Sequence, residues 1–154
     1  MNSIERTLRT LSFQPVDRVP VDLHNFMITP RFLGITDYAE FFRNGEAMAE
    51  AQIKAWQRYG HDILMIENGT AALAEACGVQ VEYLKSSAPV AKKPAINSLD
   101  EVDKLKIPDP YKDPLLSELL KATRVVVEEI GDRAYVMGRA DQGPFSLACE
   151  IRGM

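Results

Sequence analysis

The chain has 154 residues, 46% of them hydrophobic and 26% charged, which suits one compact domain and argues against disorder, a collagen-like repeat or a solenoid. Its formal net charge is -4 and its Lys and Arg are scattered, so nothing in it attracts a phosphate backbone and nucleic acid is not an expected partner. No apolar stretch approaches the roughly 18 residues needed to cross a bilayer, and the opening residues are too polar for a secretory signal; the expectation is a cytoplasmic protein with no membrane partner.

Asn2 followed by Glu5 resembles a capping box, and Ile4, Leu8 and Leu11 recur at helical spacing, so a first helix is expected to run until Pro15 stops it. The run from Arg18 to His24 carries β-branched and apolar residues that suit a short buried strand, with His24 and Asn25 at its C-terminal end. Residues 38–59 are rich in good helix formers, and Met48, Ala51, Ala55 and Tyr59 trace one face of a single long helix that Gly60 closes. Asp62 to Glu67 then forms an apolar run hydrophobic enough for a parallel strand buried on both faces, ending at Glu67 and Asn68.

A short helix is predicted over 70–77, and Val79 to Tyr83 alternates like an exposed strand or hairpin arm. Residues 86–94 contain two prolines and two lysines and read as loop, after which Ser98 to Glu101 matches a capping box that opens a helix ended by Pro108 and Pro110. Asp113 as N-cap, Pro114 at the first helical position and Gly131 beyond the end frame a long helix offering Leu116, Leu119, Leu120, Val127 and Ile130 for burial. Residues 134–138 give a third strand, and Gly143 to Ala148 starts another helix. This alternation is that of a parallel α/β fold, whose crossovers place helices outside the sheet; periodicity does not separate an open sheet from part of a closed barrel.

Cys77 and Cys149 lie far apart, without CxxC or CxH spacing, and read as buried, reduced thiols rather than a structural zinc site. Trp56 and Tyr59 read as packing on an outer helix, and His61, just before a buried strand, as structural.

Four phrases in order, Pro15-Val-Asp-Arg-Val-Pro-Val21, Gly60-His-Asp62, Glu75-Ala-Cys-Gly78 and Gly143-Pro-Phe-Ser-Leu-Ala148, resemble the uroporphyrinogen decarboxylase superfamily, with Ser98-Leu-Asp-Glu101 and Ile107-Pro-Asp-Pro110 between them. That superfamily contains haem-pathway decarboxylases and methyltransferases that move methyl groups between a corrinoid and thiol or folate acceptors. The resemblance spans the whole chain and implies a (β/α)8 TIM barrel of roughly 250 residues or more. Residues 1–154 are therefore expected to form a single partial barrel domain of about three βα units, its N-terminal portion, truncated at the C-terminus.

The same resemblance distinguishes two branches. Where porphyrin decarboxylases follow their first strand with an arginine-rich segment that grips substrate carboxylates, this chain has His24-Asn-Phe-Met-Ile-Thr-Pro-Arg-Phe32, with Asn25 at the first arginine's position and Arg31 the nearby cation. A substrate with eight carboxylates needs charge-assisted, preferably bidentate partners, and these are sparse here. Where the decarboxylases place an aspartate beyond the second strand, the chain offers Glu67-Asn68-Gly69. The expectation is a corrinoid-linked methyltransferase working with a corrinoid (cobalamin) carried on a partner protein and a small-molecule methyl acceptor. Zinc is expected only from a C-terminal half, and no metal site within these residues. Uroporphyrinogen decarboxylation is the first alternative. The second is a non-enzymatic half-barrel that self-associates or docks a complementary C-terminal half; the chain alone is expected to be inactive.

In such barrels the reacting groups gather at the C-terminal strand ends. That rule selects His24 and Glu67 as candidate catalytic groups, and Asn25, Asn68, Arg139, Asp141 and Gln142 as candidate substrate-binding groups. His24 suits proton transfer near neutrality or a structural hydrogen bond, and Glu67 suits proton acceptance or the orientation of an N–H-bearing ring. Arg139 and Asp141 alternatively pair with each other across a turn, and Gly143-Pro144 shapes the entry to a helix or exposes its N–H groups to an anion.

Overall fold

A computed structural model of the chain describes residues 1–24, 26–139 and 143–153. Helix α1, Ser3–Leu11, is opened by the Asn2 side chain, which accepts the Glu5 N–H at 2.8 Å. It stops at Leu11 rather than at Pro15, because Ser12 bonds back into the last turn and Phe13 reverses the chain at φ 55. The strand expected over Arg18 to His24 is reduced to one parallel bridge between Asp22 and Ile63. Pro20 brings no N–H to a ladder, and the Arg18 side chain is drawn to Asp62 instead.

Residues 38–59 are two helices instead of one. Asp37 caps α2, Tyr38–Phe41, and Asn44 caps α3, Gly45–Tyr59, by accepting the Ala47 N–H at 3.0 Å. A short polar side chain that satisfies the backbone locally competes with helix continuation. Gly45 is needed where α3 begins, since a Cβ there would lie 2.4 Å from the Glu118 carbonyl oxygen. Its N–H donates to the Glu118 carboxylate at 2.7 Å, fixing the contact with the later helix.

Strand β1, Ile63–Met65, is followed by α4, Ala72–Ala76, and by an antiparallel hairpin of β2, Gln80–Glu82, and β3, Val90–Lys93. The second arm lies in the stretch expected to be loop. All four residues of β3 are solvent-exposed, so burial left no pattern, and its pairing with β2 is what makes it a strand. The turn at Leu99–Lys104 is 3₁₀ rather than α. Its Ser98 makes no side-chain cap, while Glu101 accepts the Asn97 N–H at 2.7 Å.

Helix α5, Pro114–Ile130, begins as the sequence predicts, with Asp113 accepting the N–H groups of Leu115 and Leu116 at 2.9 Å each. Strand β4, Tyr135–Met137, lies parallel to β1 with Ile63 opposite Tyr135 and Met65 opposite Met137, and α6, Pro144–Arg152, closes the described chain. The order across the sheet is thus the Asp22 bridge, β1, then β4, all parallel. This is the arrangement of the first units of a (β/α)8 barrel.

The core lies between the outer side of the sheet and α3 and α5. It joins Phe42, Met48, Ala51, Leu64, Ile66, Ala122, Val126 and Ile130, with Tyr38, Phe41 and Phe42 stacked edge to face. The expected α3 face is buried at Met48, Ala51 and Ala55, and only Tyr59 at its end departs, 58% exposed and edge-on to Phe32. The α5 face is rotated, burying Leu115, Ala122, Val126 and Ile130 while Leu120 and Val127 remain open. Arg133 lies over the Trp56 ring at 5.0 Å, an outer-helix packing role.

At the N-terminal ends of the strands, two of the family phrases meet. The Asp62 carboxylate, fully buried, accepts from Ser3 Oγ at 2.9 Å, Arg6 Nη1 at 2.7 Å, Arg18 Nη2 at 3.0 Å and the Val21 N–H at 2.9 Å. A further short bond comes from Arg18 Nη1, and Arg6 also makes a two-pronged pair with Asp17. Burial pushes the Asp62 carboxyl up, but the donors from Arg18, Val21, Ser3 and Arg6 outweigh it and hold it at about 2. Asp17 is likewise held well below the usual carboxylate range by the hydrogen-bonded Arg6 guanidinium.

Candidate functional site

Alternation along the strands decides which side chains share a surface. Leu64 and Ile66 enter the core under the helices, so Ile63, Met65 and Glu67 face the opposite, inner side of the sheet. Asp22, bridged to Ile63, and His24 two residues on follow the same phase, as do Tyr135, Met137 and Arg139 on the third strand. Four polar side chains therefore converge at the C-terminal strand ends: Asp22, His24, Glu67 and Arg139.

Glu67 is the centre of this group. Its side chain is 3% exposed, with one oxygen 3.1 Å from His24 Nε2 and the other 2.8 Å from Arg139 Nη1. Neither contact has hydrogen-bond alignment, so among the described residues both buried carboxylate oxygens retain acceptor capacity. His24, 57% exposed, also directs Nδ1 toward Asp22 at 3.8 Å. Burial pushes the Asp22 carboxyl up, only partly offset by the charge of His24, and its second oxygen is buried with no hydrogen-bond partner among the described residues. The result is a chain of carboxylate, imidazole, carboxylate and guanidinium, buried at Glu67 and open at His24. Such an arrangement can take up, hold and release a proton at the imidazole while Glu67 accepts N–H or O–H donors from a ligand.

Of the residues selected from the sequence, the structure brings His24, Glu67 and Arg139 together. Arg139 pairs with Glu67, whereas its alternative partner Asp141, together with Asn25 and Gln142, lies outside the described residues. Asn68 has the opposite phase to Glu67. It is buried, with Nδ2 3.5 Å from the Leu115 carbonyl at the start of α5, and it lines an apolar cavity of about 260 Å³ formed with Leu73, Leu116, Leu119 and Leu120. Arg139 also lines that cavity, so it borders both the cavity and the cluster around Glu67, whereas Asn68 takes part only in the cavity.

Asp22 is the member that sequence reasoning missed. Its signal was its place two residues before His24 in an extended stretch, which puts both on one side of a strand. Arg31, the remaining cation of its segment, is turned to the Tyr38 hydroxyl at 3.5 Å, outside the cluster. His61 lies at the opposite strand ends, 4% exposed, where burial lowers its imidazole pKa against the opposing pull of Asp62. Cys77 and Cys149 are half-buried free thiols, and burial raises the Cys77 thiol further from ionisation. Among the described residues no three His, Cys, Asp or Glu are grouped to hold a metal ion, and no helix is long and apolar enough to cross a membrane.

Comparison with known proteins agrees with this geometry. The family model described as uroporphyrinogen decarboxylase (URO-D) matches residues 2–154. A uroporphyrinogen decarboxylase from Coxiella burnetii is 28% identical over 151 residues, covering 94% of this chain and 41% of that protein. One from Methylococcus capsulatus is 26% identical over 147 residues, covering 92% of this chain and 41% of the relative. The chain thus spans about 41% of the length of these curated relatives. Among solved structures, a methyltransferase from Methanosarcina mazei superposes with a TM-score of 0.85 over 99% of this chain and 46% of its own, at 19% identity, which establishes the shared architecture. With the parallel strand order, the phrase spacing and a family match over nearly every residue, the chain belongs to the uroporphyrinogen decarboxylase (URO-D) family.

Proposed function

We propose that this chain supplies part of the C-terminal rim of a corrinoid-linked methyltransferase, and that the His24–Glu67 pair manages the acceptor's proton. The observation that carries the reading is the state of Arg139. The guanidinium at the described strand ends is already 2.8 Å from the buried Glu67 carboxylate, and a second carboxylate, Asp22, stands 3.8 Å from His24 on the other side of Glu67. A rim of that charge is poorly matched to a substrate with eight carboxylates, which would meet repulsion where it needs bidentate cations. It is well matched to a thiol or a pterin-like ring, whose S–H or N–H groups need acceptors. The M. mazei protein of the same architecture is itself a methyltransferase, which supports this reading.

The corrinoid, carried on a partner protein, supplies the methyl group when bound. The fit of this chain to that chemistry lies in His24, exposed at the lip of the rim where a carrier would be presented, and in the spare acceptor capacity of Glu67. In the transfer the acceptor's S–H or N–H bond breaks as the methyl bond forms, and the released proton passes to the His24 imidazole. Glu67 stabilises the resulting imidazolium, and Arg139, 2.8 Å away, holds the Glu67 carboxylate in place. A zinc ion of the thiol-activating kind would draw its ligands from residues other than those described.

The curated relatives favour a second reading, uroporphyrinogen decarboxylation, since those at 26–28% identity carry that name. The two readings separate in the protein expressed from its complete reading frame. Methyltransferase activity predicts loss of methylcobalamin absorbance on adding a thiol or tetrahydrofolate acceptor, with no carbon dioxide release from uroporphyrinogen. Carbon dioxide release without methyl transfer reverses the choice. A third reading, a half-barrel that needs a complementary chain, rests on the edge of β4 that no strand pairs with among the described residues, and predicts a stable complex with a separately expressed C-terminal half by size-exclusion chromatography.

A further inference from the structure

The strand carrying Asp22 and His24 is held to its neighbour by one bridge, which raises the question of what fixes its register. A slip of one residue would turn both side chains to the other side of the sheet and dissolve the cluster. The preceding residue is where the chain is gripped. The Val21 carbonyl accepts the Asp62 N–H at 2.8 Å and the Ile63 N–H at 3.1 Å, while the Val21 N–H donates to the Asp62 carboxylate at 2.9 Å. Both backbone groups of Val21 are thus bound to its neighbour strand, and residue 62 supplies a partner for each. The Asp62 carbonyl also accepts the Tyr135 N–H at 2.9 Å, tying in the strand that ends at Arg139.

We infer that Asp62 is a positioning residue for the rim cluster: by holding Val21 from both sides, it sets the register that brings Asp22 and His24 beside Glu67. The distances suit this role. His24 lies three residues beyond Val21 and Glu67 five beyond Asp62, so the two run along adjacent strands from one fixed point, roughly 10 to 17 Å away at about 3.3 Å per residue. Ser3, Arg6 and Arg18 hold the carboxylate itself, so a shift of its oxygens away from Val21 would break several charge-assisted bonds together. The inference deepens the proposed function, resting on the reading of His24 and Glu67 as the working groups, but it makes a structural claim that is tested without turnover.

The chain carries two histidines, so the imidazole nuclear magnetic resonance signals of His24 and His61 are separable by substituting one of them. In the 154-residue chain at fixed pH, Glu67→Gln defines how far the His24 imidazole signals move when their partner is lost. Asp62→Asn keeps the side chain's size but removes its charge. It is expected to move the His24 signals by more than half of the Glu67→Gln displacement and to speed amide exchange at Leu23 and His24 at least tenfold. Ile130→Ala, a core truncation on α5, serves as a control of matched loss in melting temperature and is expected to leave both readouts unchanged. Should Asp62→Asn fail to fold, Arg18→Gln, at a half-exposed guanidinium, weakens the same node and is expected to give a smaller change in the same direction. Unmoved His24 signals in whichever of the two variants folds overturn the inference, as does an equal change in Ile130→Ala. Failure of the functional reading shows separately, as unchanged turnover in His24→Gln.

Discussion

The two ends of the same three strands carry opposite electrostatic arrangements. At the N-terminal ends, the buried Asp62 carboxylate receives donors from Ser3, Arg6, Arg18 and the Val21 backbone, and its affinity for protons falls to about 2. At the C-terminal ends, the equally buried Glu67 has an imidazole and a guanidinium beside it and, among the described residues, no aligned hydrogen bond, and Asp22 leaves an oxygen buried with no partner among them. A fully satisfied buried charge stabilises the folded chain, whereas an incompletely satisfied one keeps capacity for a ligand. Burial alone would have treated the two carboxylates alike.

Substitutions should therefore separate the ends, beginning with the largest effect. Asp62→Ala leaves Arg6 and Arg18 without their shared partner, and a loss of about 3–5 kcal/mol in urea-unfolding stability is expected. Acid should act on the same end. The folded-state Asp62 carboxyl, at about 2, lies below its ordinary 3.8, so its stabilising contribution is complete above about pH 4 and fades as pH falls toward 2. Unfolding midpoints measured over that window should fall steeply in the native chain and less steeply in Asp62→Asn, with Asp17 and Glu101, also depressed, supplying the remaining slope.

At the other end the effects on stability should be small. Glu67→Gln removes a carboxylate with no aligned hydrogen bonds and keeps an acceptor for Arg139, so a change of about 1 kcal/mol or less is expected from the same unfolding measurement. His24→Gln, at a half-exposed side chain, should change stability by no more than about 0.5 kcal/mol. A loss at Glu67 as large as that at Asp62 would erase the distinction between the ends.

Sequence reasoning succeeded where the physics is local. Asp113 and Pro114 mark the start of α5 because the cap acts on N–H groups two and three residues away, and Gly60 ends α3 in the left-handed conformation that its lack of a Cβ permits. It failed where a distant partner decides. Strand β3 exists because β2 lies beside it, and the first strand shrinks to one bridge because Pro20 and Arg18 are committed elsewhere. The break at Asn44 follows from a polar cap outweighing a run of helix formers. For the site, strand ends pointed to His24, Glu67 and Arg139, but Asp22 required the register between strands, which no single stretch contains. The phrases Val-Asp-Arg-Val and Gly-His-Asp that carried the family resemblance proved to meet at Asp62, at the end of the strands remote from the rim cluster.

The most direct test of the whole account measures methyl transfer from methylcobalamin and melting temperature side by side, for the native protein and Glu67→Gln, each expressed from the complete reading frame. A loss of turnover of about 100-fold or more with little change in melting temperature is expected. Full turnover in Glu67→Gln, or a fall in melting temperature that accounts for the lost activity, would contradict it.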